Sequence, residues 1–201
     1  MDTYPNPSTP AGAEPAGARG ALLDAILRHS FLRGRFRLSS GAWSDHYVDL
    51  RRTTLDPAGL AASVAALFPK LREFDVAAVG GPTLGADPLV AGLILESLRS
   101  GSPLRGFLVR GAAKDHGTGR MIEGHCPAGA RVAVIDDVVT RGGSILRAVE
   151  AVRAAGAQPV LALALVDREE GGREALTREG IDLYAPFRLA EVLEAAAARG
   201  I

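Results

Sequence analysis

From Asp75 onward the chain alternates short, almost uninterrupted apolar runs with segments whose apolar residues recur at helical spacing. The runs DVAAVG, LRGFLVR, ARVAVID, QPVLALALVD and IDLYAPF have no polar face to offer water. The intervening segments DPLVAGLILESLRSG, GSILRAVEAVRAAG, GGREALTREG and LAEVLEAAAARG are helical in pattern, the first two closed by Gly101 and Gly156. Strands without a polar face are buried on both sides, which requires helices on both faces of a parallel sheet. The expected fold is α/β: a parallel twisted sheet flanked by helices.

The 201 residues suffice for one such domain with a small appendage. Zero formal net charge gives no overall field to recruit nucleic acid or an acidic membrane surface. No apolar run approaches the roughly 18 residues of a membrane span. One cysteine, Cys126, excludes an internal disulfide framework and fits a reducing cytoplasm. Residues 1–18, rich in Pro, Ala and Gly, lack the features of a secretory signal and read as a disordered tail. The domain is expected over residues 19–201. Its first part, residues 19–55, forms a small N-terminal hood with one helix (ALLDAILRHS) and two short strands around Ser39-Ser40-Gly41. Asp56 then Pro57 marks an N-cap and first helical residue, opening a helix through AGLAASVAALF.

One connection breaks the rhythm. Gly111 to Gly129, GAAKDHGTGRMIEGHCPAG, is long for a compact domain, and such segments are commonly binding loops or lids. Its centre, KDHGTGR, is too polar and Gly-rich for a buried element. Short strand-like arms are expected at its edges.

The stretch VAVIDDVVTRGGS, Val132 to Ser144, carries the chemistry. Parallel strands present ligands at their carboxyl ends, beside the N-terminus of the following helix. Free N–H groups and the positive end of the helix dipole favour an anion at Thr140–Ser144. Gly142 and Gly143 admit close backbone approach, and Thr140 and Ser144 add hydroxyls. Asp136 and Asp137 repel that anion and need another partner. A vicinal diol supplies it, since a carboxylate accepts from two hydroxyls. A ribose 5-phosphate offers both groups, and Mg²⁺ can reach the acids through water. An apolar run ending in Asp-Asp also suits a P-loop ATPase, but no G-x-x-x-x-G-K-[ST] loop is present; nor is G-x-G-x-x-G. Strand-end aspartates that merely cap the helix are the bland alternative.

VAVIDDVVTRGGS resembles the phosphoribosyl-pyrophosphate (PRPP) signature of the type I phosphoribosyltransferases, and RGAAKDHGTG is similar to the catalytic loop of orotate phosphoribosyltransferases. The resemblance, from about residue 20 to the C-terminus, implies transfer of ribose 5-phosphate from PRPP to orotate. It implies Mg²⁺ carried by PRPP with no direct protein ligand, and a cytoplasmic homodimer sharing the loop between subunits. The site residues so implied are Asp136, Asp137, Val138, Val139, Thr140, Arg141, Gly142, Gly143 and Ser144 on the signature. To these it adds Arg110, Lys114 and His116 around the loop. Arg168, in LVDREEGG, matches an arginine that contacts the pyrimidine. Lys114, His116, Asp136 and Asp137 are the catalytic set. Pyrophosphate departure builds negative charge that cations on a closing loop can meet. GGPTLGADPLV resembles a pyrophosphate-binding loop; a plain strand-to-helix turn capped by Asp87 explains it equally well. RLSSGAWSDHYVDLRR resembles the hood over the base.

The chain departs from some relatives by lacking a hood lysine (Ser39 instead), a second loop lysine (Gly111 instead) and a pyrophosphate-loop lysine. Arg110, Arg141, Mg²⁺, Arg51 or Arg52 must then meet phosphate charge. His29, His46, His125 and Cys126 have no spacing for a transition-metal site; His29 and His46 read as packing or surface residues, and Trp43 as hood packing. Two rivals stand beside orotate transfer: the same chemistry on another base, and a non-catalytic PRPP-sensing regulator that binds nucleic acid. The second would want a basic face or an added DNA-binding motif.

Overall fold

The computed structural model describes residues 17–37, 41, 43–111 and 121–201. The tail expected at residues 1–18 lies mostly outside them. The elements run α1 (Ala18–Ala25), a π-helical turn (Ile26–Ser30), β1 (Phe31–Arg37), β2 (Trp43–Val48), α2 (Arg51–Thr54), α3 (Pro57–Arg72), β3 (Ala78–Pro82), α4 (Asp87–Arg99), β4 (Arg105–Val109), β5 (Ile122–Gly124), β6 (Arg131–Ile135), β7 (Val138–Val139), α5 (Gly143–Ala154), β8 (Gln158–Leu163), β9 (Val166–Asp167), α6 (Gly172–Arg178), β10 (Asp182–Tyr184), β11 (Phe187–Arg188) and α7 (Leu189–Ala198).

The main sheet has the order β10-β8-β6-β3-β4-β5. All its pairs are parallel except β4 with β5. Side chains alternate between two cores, as strand geometry demands. Val132, Val134 and Ala162 join the core under α5 and α6, with Ile145, Val149 and Leu176. Ala133, Ile135, Leu161 and Leu163 join the opposite core under α1, α3, α4 and α7, with Leu22, Leu67, Leu93 and Val192. Each Val, Leu or Ile among them contributes roughly 1.5–3 kcal/mol by leaving water, which is why the interiors of these runs carry no polar residue.

The Asp56 side chain accepts from Gly59 N across 2.8 Å, capping α3 as its sequence position predicts. The helix continues beyond Phe68 through Pro69. A mid-helix proline costs about 3 kcal/mol; burying Leu71, 1% exposed, offsets much of it.

Two apolar runs that read as single strands are each broken. β8 stops at Leu163 and β9 resumes at Val166; β10 stops at Tyr184 and β11 resumes at Phe187. β6 and β7 are interrupted at the same level, by Asp136 and Asp137. The resumed pieces form a second parallel sheet, β11-β9-β7. Asp136 N donates to Leu163 O, Leu165 N to Asp137 O and Ala164 N to Tyr184 O, each across 3.0 Å. These bonds carry the ladder through a crease shared by three strands, and the acidic pair sits on it. β1 and β2 pair antiparallel with an irregularity between Arg33 and Phe36, forming the hood hairpin.

Candidate active site

Asp136 and Asp137 stand at the carboxyl end of central β6, and the chain reaches α5 through β7 and the Thr140–Gly142 turn. Gly142 caps the helix at φ +81°, a left-handed conformation that side-chain-bearing residues rarely adopt. Ser144 Oγ donates to Asp136 Oδ2 across 2.7 Å. Asp137 N donates to Asp136 Oδ1 across 3.0 Å. Asp136 is 7% exposed. Burial pushes its carboxyl up from 3.8 to about 7, against the Ser144 hydrogen bond, which lowers it; the Asp137 charge adds to the rise. Burial also raises Asp137, while the Arg51 charge draws it down. Arg51 is itself held by Asp49 across 2.8 Å. A buried pair that resists double ionisation is poised for hydroxyl donors or a cation.

Two glycines outside the signature shape this pocket. Gly85, in the loop between β3 and α4, lies against the acids: a Cβ there would stand 2.5 Å from Asp136 Oδ1 and 2.7 Å from Asp137 Oδ1. The suspected pyrophosphate loop is thereby packed on the acidic pair. The expected Asp87 cap is not formed. α4 begins at Asp87 itself, behind Ala86, with no side-chain cap. Asp87 Oδ1 is buried without a hydrogen-bond partner, and burial raises its carboxyl. Gly172 supports the phosphate turn from behind. Its N–H donates to Thr140 O across 2.9 Å, and a Cβ there would meet Val139 Cγ1 and lie 2.5 Å from Thr140 O.

Arg168 follows β9, and its N–H donates to Val139 O across 2.8 Å. A cavity of about 90 Å³ is lined by Val138 and Val166 from the short sheet, by Arg168 and Leu189 just after its strands, and by Ser44, His46, Tyr47, Val48 and Leu50 from the hood. The hairpin alternates, so Ser44, His46 and Val48 are its more buried positions. His46, expected as packing or surface, is therefore a wall of the cavity. Its ring stacks on Phe31 at 6.0 Å, and its Nδ1 lies 2.7 Å from Asp45 Oδ1. The repeated polar residues of WSDHYV gave no apolar alternation from which to find it. Trp43 points elsewhere: it is 59% exposed, with the Arg35 guanidinium 4.2 Å over its ring.

Arg110 closes the base of the long connection. Its N–H donates to Met121 O across 2.9 Å, and β5 is the expected strand-like arm. Its Nη1 lies 3.6 Å from Glu123 Oε1. Lys114 and His116 lie outside the described residues, as does Ser39. Arg141 is exposed on the phosphate turn. Among the described residues, no group of three or more His, Cys, Asp or Glu could hold a metal ion, and no helix is long and apolar enough to cross a membrane.

A crossover sheet whose central strand ends in an acidic pair and a glycine turn, under a hood that walls a second cavity, defines a type I phosphoribosyltransferase. No family model matches the chain. Orotate phosphoribosyltransferase of Aquifex aeolicus is 48% identical over 158 residues, covering 79% of this chain and 86% of that protein. The crystal structure of the Mycobacterium tuberculosis enzyme of that name matches with a TM-score of 0.78 at 39% identity, covering 87% of this chain and 98% of that one. The same enzyme in complex with 5-phospho-α-D-ribosyl 1-diphosphate gives a TM-score of 0.74 at 35% identity over the same shares. The chain belongs to the orotate phosphoribosyltransferase family.

Proposed function

We infer that the chain transfers ribose 5-phosphate from PRPP to orotate, giving orotidine 5′-monophosphate and pyrophosphate in pyrimidine synthesis. The observation that carries this reading is the crease. It carries the acidic pair, and beyond it β7 leads into the phosphate turn while β9 brings an arginine to the cavity, as a sugar phosphate joining an anionic base requires.

In this reading the Thr140–Ser144 amides and hydroxyls hold the 5-phosphate at the α5 N-terminus. Asp136 and Asp137 accept from the ribose hydroxyls. Arg168 faces the orotate carboxylate, with Val138 and the hood confining the ring. Arg110, Lys114 and His116 meet the charge on the departing diphosphate, and His116 can donate a proton. Positioning and charge stabilisation dominate, because the transition state gathers positive charge on the sugar.

PRPP would carry Mg²⁺, and Asp136 and Asp137, side by side, would reach it through water. Mg²⁺ would neutralise diphosphate charge. A homodimer with a shared loop and a cytoplasmic location belong to the same proposal.

The test is pyrophosphate release with PRPP, Mg²⁺ and a panel of bases, followed also by orotate absorbance. Turnover of orotate alone is expected. Turnover of a purine instead favours the rival base, and DNA or RNA binding at physiological salt without any turnover favours a regulator.

A further inference from the structure

Asp167 is the least exposed acid among the described residues, at 1%, and the chemistry proposed above leaves it unused. It immediately precedes Arg168. Its Oδ1 accepts from Glu169 N across 2.9 Å. Its Oδ2 accepts from Arg173 Nε across 3.0 Å and lies 2.9 Å from Arg173 Nη2. The third nitrogen of that guanidinium, Nη1, donates to Leu183 O across 2.8 Å. One buried carboxylate therefore ties β9, the bend after it, the first turn of α6 and the end of β10 together.

The segment so bracketed is Arg168–Gly172. It touches the site at both ends: Arg168 N donates to Val139 O and Gly172 N to Thr140 O. Between them Glu169 sits at φ +56°, a conformation costly for a residue with a side chain. The bond from its N–H to Asp167 holds that turn. Stability alone is a weak account of such a pair, since well-packed apolar residues do as well in a buried setting. A planar fork on a carboxylate fixes direction as well as distance.

We propose that Asp167 and Arg173 are positioning residues for the base site: their ion pair sets the bend that aims Arg168 into the cavity beneath the hood. The proposal rests on that cavity being the orotate site. Arg168 also has a competing attraction, because its Nε lies 2.8 Å from Glu170 Oε1 on the same bend. A bend freed from Asp167 would let the guanidinium follow Glu170 outward.

The experiment is steady-state kinetics on the full chain with Arg173→Met, Arg173→Lys and Asp167→Asn, varying orotate and PRPP separately, alongside thermal unfolding. The Arg173 side chain is 46% exposed, so its variants are the ones expected to fold. R173M should raise the KM for orotate about tenfold, the scale of one misdirected charged hydrogen bond, while the KM for PRPP moves less than about twofold on the same scale. R173K, which keeps the charge but not the fork, should fall between R173M and wild type. Equal changes in both KM values, or an unmoved orotate KM in folded R173M or R173K, overturn the proposal, even if the thermal midpoint drops. An active wild type with that outcome removes this inference alone. A wild-type chain that does not turn over orotate removes the base-site reading, and the inference with it.

Discussion

The Ser144 hydroxyl, in the first turn of α5, donates to Asp136 Oδ2 across 2.7 Å, so the phosphate turn and the acidic pair share a hydrogen bond. That bond opposes the burial that lifts the Asp136 carboxyl to about 7. Ser144→Ala should lift it further, because the carboxylate loses a donor. The acidic limb of the kcat/KM profile, which reports the free enzyme, should move to higher pH. An unchanged limb in S144A would detach Asp136 ionisation from substrate capture.

Asp136 also sets a pH dependence of folding. Its carboxyl titrates near 7 in the folded chain, against a usual value of 3.8. Between those values the folded state binds more protons than the unfolded state, so stability falls as pH rises through this window. Asp136→Asn should flatten the slope. Above pH 7 the unliganded variant should melt higher than wild type, by about 2–4 °C for each kcal/mol relieved. Melting curves at both ends of the window check this, and a variant that keeps the wild-type slope contradicts it.

Gly85→Ala and Gly172→Ala should fail differently. The Gly85 methyl would press on two carboxylates that can turn aside, at the expense of their aim. PRPP affinity should fall about tenfold with little change in melting, a loss near 1.4 kcal/mol. The Gly172 methyl would meet a backbone oxygen that cannot turn. That variant should lose about 1–3 kcal/mol of stability, read by denaturant unfolding.

Lys114→Ala should lower turnover by about 10²–10³, the usual effect of removing a group that meets transition-state charge. Its melting temperature should match wild type. Pyrophosphate release measures the first and calorimetry the second. Undiminished turnover in a folded K114A protein would exclude Lys114 from the chemistry.

The alternation of buried strands and helices was legible because a parallel sheet covered on both faces leaves polar residues nowhere to go. The Asp56 cap was legible because it is local. The acidic pair and glycine turn were legible because strand end, charge and helix start adjoin in the chain. The crease was not: Ala164-Leu165 and Ala185-Pro186 stay apolar through the breaks, so hydropathy ran on where pairing stopped. Gly172 and Gly85 act through close approach between distant segments, which no local pattern records. His46 was missed because a half-solvated hairpin needs no apolar alternation. Asp167 and Arg173 carried no local signal: only the fold buries the one against the other.

The crease has a bearing on how such a molecule can change. Val138, Val166, Arg168 and Leu189 all lie beyond it, whereas Asp136 and Asp137 lie on it and the phosphate turn belongs to the start of α5. Selection for a new heterocycle can thus act on a few side chains of a short flap and its facing hairpin. The handle by which the sugar is carried stays untouched.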